Sequence, residues 1–438
     1  PRRFSVNSYT RAMNLRDDFE FRGLVHQATN PELLDRLGRG GVTAYVGFDP
    51  TAPSLHLGHL LQLCNLRRLQ LAGNRPIALA GGGTALIGDP SFKATERPLQ
   101  TVEQIGENLE SIKEQLSRFL DFSPSAGTSQ AVLLNNAEWL TTFPLTDFLR
   151  DVGKHFTINQ MIARDSVKSR LDRPDVGLSF TEFSYSLLQG YDFLRLHLDQ
   201  GCTVQLGGSD QWGNIISGVD LVRKSCGGDV DGLTSPLLLR PDGQKFGKTE
   251  GGNQSVWLSA ELTRPYTLFQ YLLNQDDAMV EKLLKFFTFL DHDTINELIE
   301  ATRSAPRERR AQRALATDIV TLVHGSEAAA AAERAGRALF SEEIAALDER
   351  TLLDVMADAP SVEIPRTEFL DGVDLIDLVV RAGLAASKGE ARRLHDQGGF
   401  AINNVKSAGE PVGVAQLLHD RYVVLRRGAR TIALVVAI

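Results

Sequence analysis

Apolar positions follow two rhythms in the first half of the chain. Short runs rich in β-branched and aromatic residues, at 43–48 (TAYVGF), 76–81 (PIALAG), 131–134 and 203–206, read as buried strands. Between them lie stretches with helical spacing. From Ser54 to about Ala72, Leu57, Leu60, Leu61 and Cys64 recur at i, i+3, i+4 and i+7 and define a core face, with Ser54 placed to cap the helix and Gly73 to close it. Residues 101–119 make a second amphipathic helix, and 180–198 a third, rich in aromatics. Residues 21–37 read as a helical entry segment, preceded by 1–20 with no hydrophobic pattern. Strands alternating with helices across short glycine turns predict a parallel α/β sheet, with polar residues after the strands on the ligand side.

The rhythm changes after residue 250. From 265 to about 347 the spacing is helical throughout, which predicts a separate all-α domain. Residues 358–372, with two prolines and no helical period, read as a linker. The tail beyond it shows two short helices, the second basic, then strands near 401–402 and 422–425, a small α+β domain.

Length and composition add bounds. At 438 residues the chain holds two to four domains of soluble composition, and no apolar run approaches the roughly 18 residues that span a bilayer. Three widely spaced cysteines, Cys64, Cys202 and Cys226, fit a reducing cytoplasm better than a disulfide framework. Net charge is −8. Residues 372–438 nevertheless carry nine Lys and Arg against six acids, so a tail of +3 is joined to a body of −11, the asymmetry of a chain in which one module touches RNA.

Candidate chemistry concentrates at two places. The strand at 43–48 ends in Asp49-Pro50-Thr51, where proline removes a donor and turns its predecessor away from helix. The next helix opens with His56-Leu57-Gly58-His59, so two imidazoles share a face at its N-terminal end. Unpaired N–H groups and the macrodipole make such an end an anion site, and two imidazoles suit a phosphate chain. Gly58 costs about 1 kcal/mol relative to alanine in a helix interior, which points to something flat lying against the backbone. A zinc site lacks further ligands nearby in sequence. Nearly two hundred residues later, in PDGQKFGKTEGG, Lys245 and Lys248 form a cationic clamp in a glycine-rich turn. Gly81-Gly82-Gly83 lacks the GK[ST] of a P-loop and fits a turn beside a ligand.

Together HLGH, after a GFDPT strand, and KFGKT resemble the HIGH and KMSKS signatures of class I aminoacyl-tRNA synthetases. LIGDPS at 86–91, FTEFSYSLLQGYDFLRL at 180–196 and GGSDQWGN at 207–214 are similar to bacterial tyrosyl-tRNA synthetases in particular, and the resemblance runs from about residue 21 onward. It implies a Rossmann-like parallel-sheet catalytic domain at 21–250, with a connective and dimerisation insertion near 140–180. An α-helical anticodon-binding-type domain at 251–350, a linker at 351–371 and an S4-like RNA-binding domain at 372–438 follow. Residues 1–20 are then an N-terminal extension, with a start near Met13.

The resemblance also implies an activity and its residues. The substrates are ATP with Mg2+, L-tyrosine and tRNA(Tyr), the enzyme is a cytoplasmic homodimer with no membrane partner, and no protein-bound metal is expected. Thr51, His56, His59, Lys93, Arg97, Lys245, Lys248 and Thr249 match the groups that act on the phosphates. Tyr45 and Asp192 match the pair that bonds the substrate phenol; Asp89, Tyr185 and Gln189 match the α-ammonium cradle, with Gln211 near the carboxylate and Asn136 lining the site. Gly47, Asp49, Gly58, Gly208 and Asp210 match the nucleotide side. Lys388, Arg392, Arg393, Arg426, Arg427 and Arg430 are the expected tRNA contacts. A buried carboxylate at 192 has its own logic, because desolvation is costly and a phenol O–H supplies a charge-assisted partner. Val46 departs from the cysteine many relatives carry, and KFGKT from the fuller KMSKS. Competing readings are the tryptophan enzyme of the same class, disfavoured by the Tyr45/Asp192 pair and the tail; a synthetase-derived RNA-binding factor, disfavoured by the intact motifs; and a small nucleotidylyltransferase, disfavoured by length.

Overall fold

The structure, a computed structural model, describes residues 14–89, 100–163, 167–168, 178–239, 246–247, 255–339, 341–357, 359–428 and 431–438. The chain forms two compact units, the first running up to Thr263 and including Gln275–Val323, the second made of Arg264–Asn274 and His324–Ile438.

The first unit is built on six strands: β1 (Gln27–Ala28), β2 (Thr43–Phe48), β3 (Arg75–Ala80), β4 (Val132–Asn135), β5 (Val204–Gly208) and β6 (Asp231–Ser235). Their spatial order is β1-β6-β5-β2-β3-β4, parallel throughout except for β1 against β6. From β2 the chain winds outward through β3 and β4, then returns to β5 on the other side. The order therefore reverses between β2 and β5, and ligands bind beyond the carboxyl ends of strands at such a point. The expected parallel α/β sheet is what forms.

Five helices of this unit matter below: α1 (Leu15–Arg22), α2 (Leu57–Leu71), α3 (Val102–Phe119), α4 (Phe180–Gln200) and α5 (Trp212–Cys226). In α3, Thr101 and Gln104 form a reciprocal capping box, and Ile105, Leu109, Ile112 and Leu116 bury one stripe. The core face read for α2 is correct, since Leu57, Leu60, Leu61 and Cys64 are all buried. Its cap is not Ser54. The side chain of His56 caps the helix, while Ser54 Oγ bonds Leu55 O and Gln115 one turn earlier.

Two further expectations change. Residues 1–20 are not all extension: α1 begins at Leu15 and buries Leu15, Asp18, Phe19 and Arg22. Two of those four are charged, so no hydropathy reading sees the stripe. Residues 21–37 are likewise not one helix, because β1 interrupts them. Arg22 bonds Asp18 (2.6 Å) and the carbonyls of Lys285, Thr288 and Leu290; Arg68, on α2, bonds those of Phe286 and Thr288. Two buried guanidinium groups thus occupy the carbonyls that end the helix Asp277–Phe287, where a cation is favoured.

In the second unit β7 (Ser361–Ile364), β8 (Phe400–Ile402), β9 (Val405–Lys406), β10 (Tyr422–Arg427) and β11 (Thr431–Ala437) form a sheet in the order β7-β11-β10-β8-β9. β7 lies parallel to β11, which corrects the expectation of a linker at 351–371. The two prolines flank a four-residue alternation, SVEI, whose Ile364 is buried. Both sheet faces are covered. Val423, Leu425 and Val435 join the core with Leu375, Leu378 and Phe400, while Tyr422, Val424 and Leu434 pack with Ala335, Leu352 and Val355. Helices at Ser326–Ala338 and Glu349–Val355 therefore belong with this sheet, whereas Asp277–Phe287, His292–Ser304 and Arg310–His324 belong to the first unit. The all-helical stretch read at 251–350 contributes to both units.

Candidate active site

Side chains from four segments meet beyond the carboxyl ends of the parallel strands. Asp49 follows β2. Its Oδ1 accepts from Thr84 Oγ1 (2.9 Å) and its Oδ2 from the Tyr185 hydroxyl (3.3 Å). Thr84 Oγ1 also accepts from Asn136 Nδ2 (3.0 Å), and Asn136 Oδ1 accepts from the N–H of Gly83 (2.7 Å). The approach is close enough to require glycine: a Cβ on Gly81 would lie 1.9 Å from Asp49 Oδ1. The triplet at 81–83 thus lets the chain pass the carboxylate.

Asp192 sits at the centre, 2 % exposed, on the α4 face that also carries Tyr185 and Gln189 at helical spacing. Its Oδ2 accepts from Asn136 Nδ2 (2.9 Å) and its Oδ1 from the Trp139 indole Nε1 (2.7 Å). Burial pushes its carboxyl up to about 7, although both donors pull the other way and the Asp49 charge adds a smaller upward push. Tyr45, 1 % exposed on β2, has a buried hydroxyl with no hydrogen-bond partner among the described residues. Burial and the nearby Asp192 raise the Tyr45 phenol well above its ordinary value. Burial first, and then Asp49, does the same to Tyr185. Both tyrosines therefore stay neutral hydroxyls.

After β5, Gln211 Nε2 donates to Asp89 Oδ2 (2.8 Å), and Gln211 Oε1 accepts from Asn214 Nδ2 (3.2 Å). Gly208 allows the turn to fold back, since a Cβ there would lie 2.6 Å from Asp210 Oδ1. Asp210 and Ser209 line a cavity of about 670 Å³ with Phe156, Trp212 and Lys224. Gly47 is exposed and a Cβ on it would meet nothing within 4 Å, so the floor at the end of β2 is open.

At the start of α2 the two histidines cap the helix between them. His56 Nδ1 accepts from the N–H of Gly58 (3.0 Å), and His59 Nδ1 accepts from the N–H of His56 (3.2 Å), with the rings stacked 3.9 Å apart. With Nδ1 accepting, each neutral ring carries its proton on Nε2. Gly58 has a reason other than a ligand on the backbone: a Cβ there would sit 2.7 Å from His56 Cε1. Thr51 lies half-buried in the β2–α2 connection, its carbonyl accepting from Gln100 Nε2 (3.1 Å).

Of the remaining expected residues, Lys93, Arg97, Lys245, Lys248, Thr249 and Arg430 lie outside the described residues. Lys388, Arg392 and Arg393 are exposed on the helix Lys388–Asp396, with Lys388 paired to Asp377. Arg426 is half-buried on β10, and Arg427 donates to Leu384 O (2.7 Å). Trp139 and Thr84 join the site without standing out in the sequence. The available signal for Trp139 is its place just after a strand, in NNAEW, where a donor reaches back over the sheet edge. Among the described residues no group of three or more His, Cys, Asp or Glu could hold a metal, and no helix is long and apolar enough to cross a membrane.

The sequence that carries this helix tip and this buried acid–tyrosine pocket is matched over residues 39–341 by the family model for class I tRNA synthetases of the W and Y type. A second model, the tyrosine–tRNA ligase SYY-like C-terminal domain, matches 352–435. The chain is 51 % identical to the tyrosine–tRNA ligase of Roseiflexus castenholzii over 419 residues, 94 % of this chain and 97 % of that one. It is 48 % identical to the tyrosine–tRNA ligase of Mycobacterium bovis over 421 residues, 95 % of this chain and 97 % of the other. Among solved structures, the C-terminally truncated mitochondrial tyrosyl-tRNA synthetase of Aspergillus nidulans superposes with a TM-score of 0.67 at 33 % identity, covering 75 % of this chain and 95 % of that one. The chain belongs to the tyrosine–tRNA ligase family.

Proposed function

We infer that this protein activates L-tyrosine with ATP, giving tyrosyl-adenylate and pyrophosphate, and then transfers the tyrosyl group to the 3′ end of tRNA(Tyr). In the first step a carboxylate oxygen of tyrosine attacks the α-phosphorus and the bond to the pyrophosphate oxygen breaks. In the second a hydroxyl of the terminal ribose attacks the tyrosyl carbonyl and AMP leaves. Neither step needs a protein nucleophile. The protein must align the reactants and stabilise charge as it moves onto the pyrophosphate.

The observation that carries the reading is the pairing of Asp192, whose two oxygens are already held by Trp139 and Asn136, with buried Tyr45, whose hydroxyl has no hydrogen-bond partner among the described residues. A phenol O–H entering there meets an acceptor and a donor together. Phenylalanine leaves both unmet, which is costly in a buried site. Strong rejection of the analogue that lacks the hydroxyl is already known for tyrosyl-tRNA synthetases as a class. Asp89, Tyr185 and Gln189 then take the α-ammonium group, Gln211 the carboxylate side, and Asp49 and Asn136 hold the wall between them. The Nε2 hydrogens of His56 and His59, with Thr51, face the phosphates, and Gly47, Gly58, Gly208 and Asp210 border the nucleotide. Lys93, Arg97, Lys245, Lys248 and Thr249 supply the remaining charge, and Mg2+ enters on the ATP phosphates as part of the substrate.

Residues 21–250 form the catalytic part in this reading. Lys388, Arg392, Arg393, Arg426, Arg427 and Arg430 contact the tRNA from the tail. The protein works as a homodimer in the cytoplasm. Supporting the dimer, exposed apolar side chains gather on the 140–180 stretch: Leu145 (73 %), Leu149, Ile158, Ile162 and Phe180 (76 %). Supporting the compartment, Cys64, Cys202 and Cys226 are all unpaired thiols. ATP–pyrophosphate exchange across the twenty amino acids tests the central claim: tyrosine alone supports it, and exchange with tryptophan in its place overturns the assignment.

A further inference from the structure

The connection between β2 and α2 has no regular structure of its own, and side chains from another helix set its course. Pro50 and Pro53 bring no backbone N–H to it, and the carbonyls of an irregular segment need donors from elsewhere. α3 supplies them. Asn108, Ser111 and Gln115 recur at i, i+3 and i+7, so they stand on one face of that helix. Asn108 Nδ2 donates to Pro50 O (3.0 Å), and Ser111 Oγ donates to Pro53 O (2.6 Å). Gln115 Oε1 accepts from the N–H of Leu55 (3.0 Å) and lies 3.1 Å from Ser54 Oγ. One residue before the α3 cap, Gln100 Nε2 reaches Thr51 O (3.1 Å). This polar stripe is not a solvated face. Asn108 and Gln115 are 9 % and 8 % exposed, beside the buried Ile105, Leu109, Ile112 and Leu116. Amides buried on an amphipathic helix are costly unless each finds a partner, and here the partners belong to the backbone of 50–55.

We propose that Asn108, Ser111 and Gln115 are positioning residues for tyrosine activation, holding the backbone of 50–55 so that Thr51 and His56 meet the ATP phosphates in a fixed place. The proposal rests on the reading that Thr51 and His56 face those phosphates. The segment is anchored at its start by Asp49, bonded to Thr84 and Tyr185, and at its end by His56, the cap of α2. Between these anchors the α3 side chains provide the hold. Water would satisfy the same carbonyls without deciding where they lie, whereas three side chains on one rigid helix do both. None of the three contributes a group to the chemistry, and their effect runs through the backbone that carries Thr51 and His56.

The test uses the full chain and reads single-turnover adenylate formation, the tyrosine Kd and the Tm. In Ser111→Ala the bond to Pro53 is lost while alanine is the better helix former, so the Tm should hold or rise as the rate falls. Adenylate formation should slow about tenfold in Ser111→Ala, and about 10²-fold when Asn108→Ala is added, through displacement of the phosphate-facing segment. Ser111→Thr, which keeps the hydroxyl, should restore the native rate. The tyrosine Kd should stay within about twofold throughout, as befits contacts used only in the transition state. With Thr51→Ala in place the paired α3 substitutions should cost less than in the native chain, because a group they position is gone. A native rate for the paired variant, or full additivity with Thr51→Ala, overturns the proposal. So does a rate for Ser111→Thr no better than that for Ser111→Ala, a comparison that decides alone should the paired variant fail to fold. Native rates for Thr51→Ala and His56→Asn would instead overturn the phosphate-facing reading of the connection, a failure that those single variants reveal by themselves.

Discussion

Trp139→Phe isolates one bond at the centre of the tyrosine pocket. The substitution keeps an aromatic ring and deletes the indole N–H that lies 2.7 Å from Asp192 Oδ1. Asn136 still holds Oδ2, so the carboxylate keeps one of its two donors. A hydrogen bond to a charged group is worth about 1.5–3 kcal/mol, and that amount is withdrawn from ionised Asp192 alone. In the proposed reading tyrosine needs the ionised form, because its phenol donates to it. Phenylalanine has no donor to offer and loses nothing. Discrimination, measured as the ratio of kcat/KM for tyrosine and phenylalanine in ATP–pyrophosphate exchange, should therefore fall about ten- to hundredfold. A second consequence has a fixed sign. Trp139 lowers the Asp192 pKa, so its removal moves the carboxyl above about 7 and shifts any pH limb of tyrosine binding upward. An unchanged tyrosine-to-phenylalanine ratio, with the protein folded, would show that the indole does not support the acid.

Other expectations follow from the same geometry. If the phenol donates to ionised Asp192 as proposed, the tyrosine Kd should rise as pH falls below about 7, and Asp192→Asn should flatten that dependence; a flat native profile would refute it. For the unliganded fold the sign is opposite. Folded Asp192 keeps its proton above the ordinary 3.8, so its contribution to stability is fully present below that value and is lost as pH rises through about 7. Asp18→Asn leaves the buried Arg22 short of its carboxylate and should cost about 3–5 kcal/mol in urea unfolding; a change below about 1 kcal/mol would mean that the backbone carbonyls suffice. Replacing Arg392 and Arg393 with alanine should spare exchange and weaken tRNA charging, and the salt slope of tRNA binding should fall by about one for each phosphate partner removed. Native charging by that pair variant would place the RNA-binding groups elsewhere.

What is legible in the sequence is what depends on near neighbours. β2 begins and ends where its β-branched and aromatic run does, and α3 starts at the Thr101/Gln104 box. What escapes depends on partners distant in sequence. DGLTS at 231–235 has the composition of a polar turn, yet all five residues are buried in β6, because Arg36 and Thr29 reach across to Asp231. The stripe of α1 is hidden for the same reason, since Asp18 and Arg22 satisfy each other. β7 has the local pattern of a linker because its partner, β11, lies about seventy residues further on. The pocket divides similarly. Asp192, Asn136 and Tyr185 stand out in the sequence and are brought into one bonded network with Asp49, while Trp139 joins it through a bond that no local pattern announces.

The HLGH string shows how a spacing carries both stability and chemistry. Two imidazoles at i and i+3 do here what Ser and Glu do in an ordinary capping box, and the first ring reaches the i+2 N–H by lying where a Cβ of residue 58 would be. That assigns the glycine to the cap. It also fixes the tautomer: with Nδ1 accepting, Nε2 of each neutral ring is a donor, the polarity that the proposed phosphate contact requires. The two roles can be separated. His56→Ala removes cap and donor together, with a loss of stability of about 1 kcal/mol. His56→Asn restores an acceptor for the N–H of Gly58 but offers nothing at the position of Nε2. Stability should return in the asparagine variant and the rate of adenylate formation should not. If the rate returned as well, the cap alone would be what the first histidine supplies, and the phosphate-binding role would have to be assigned to another group.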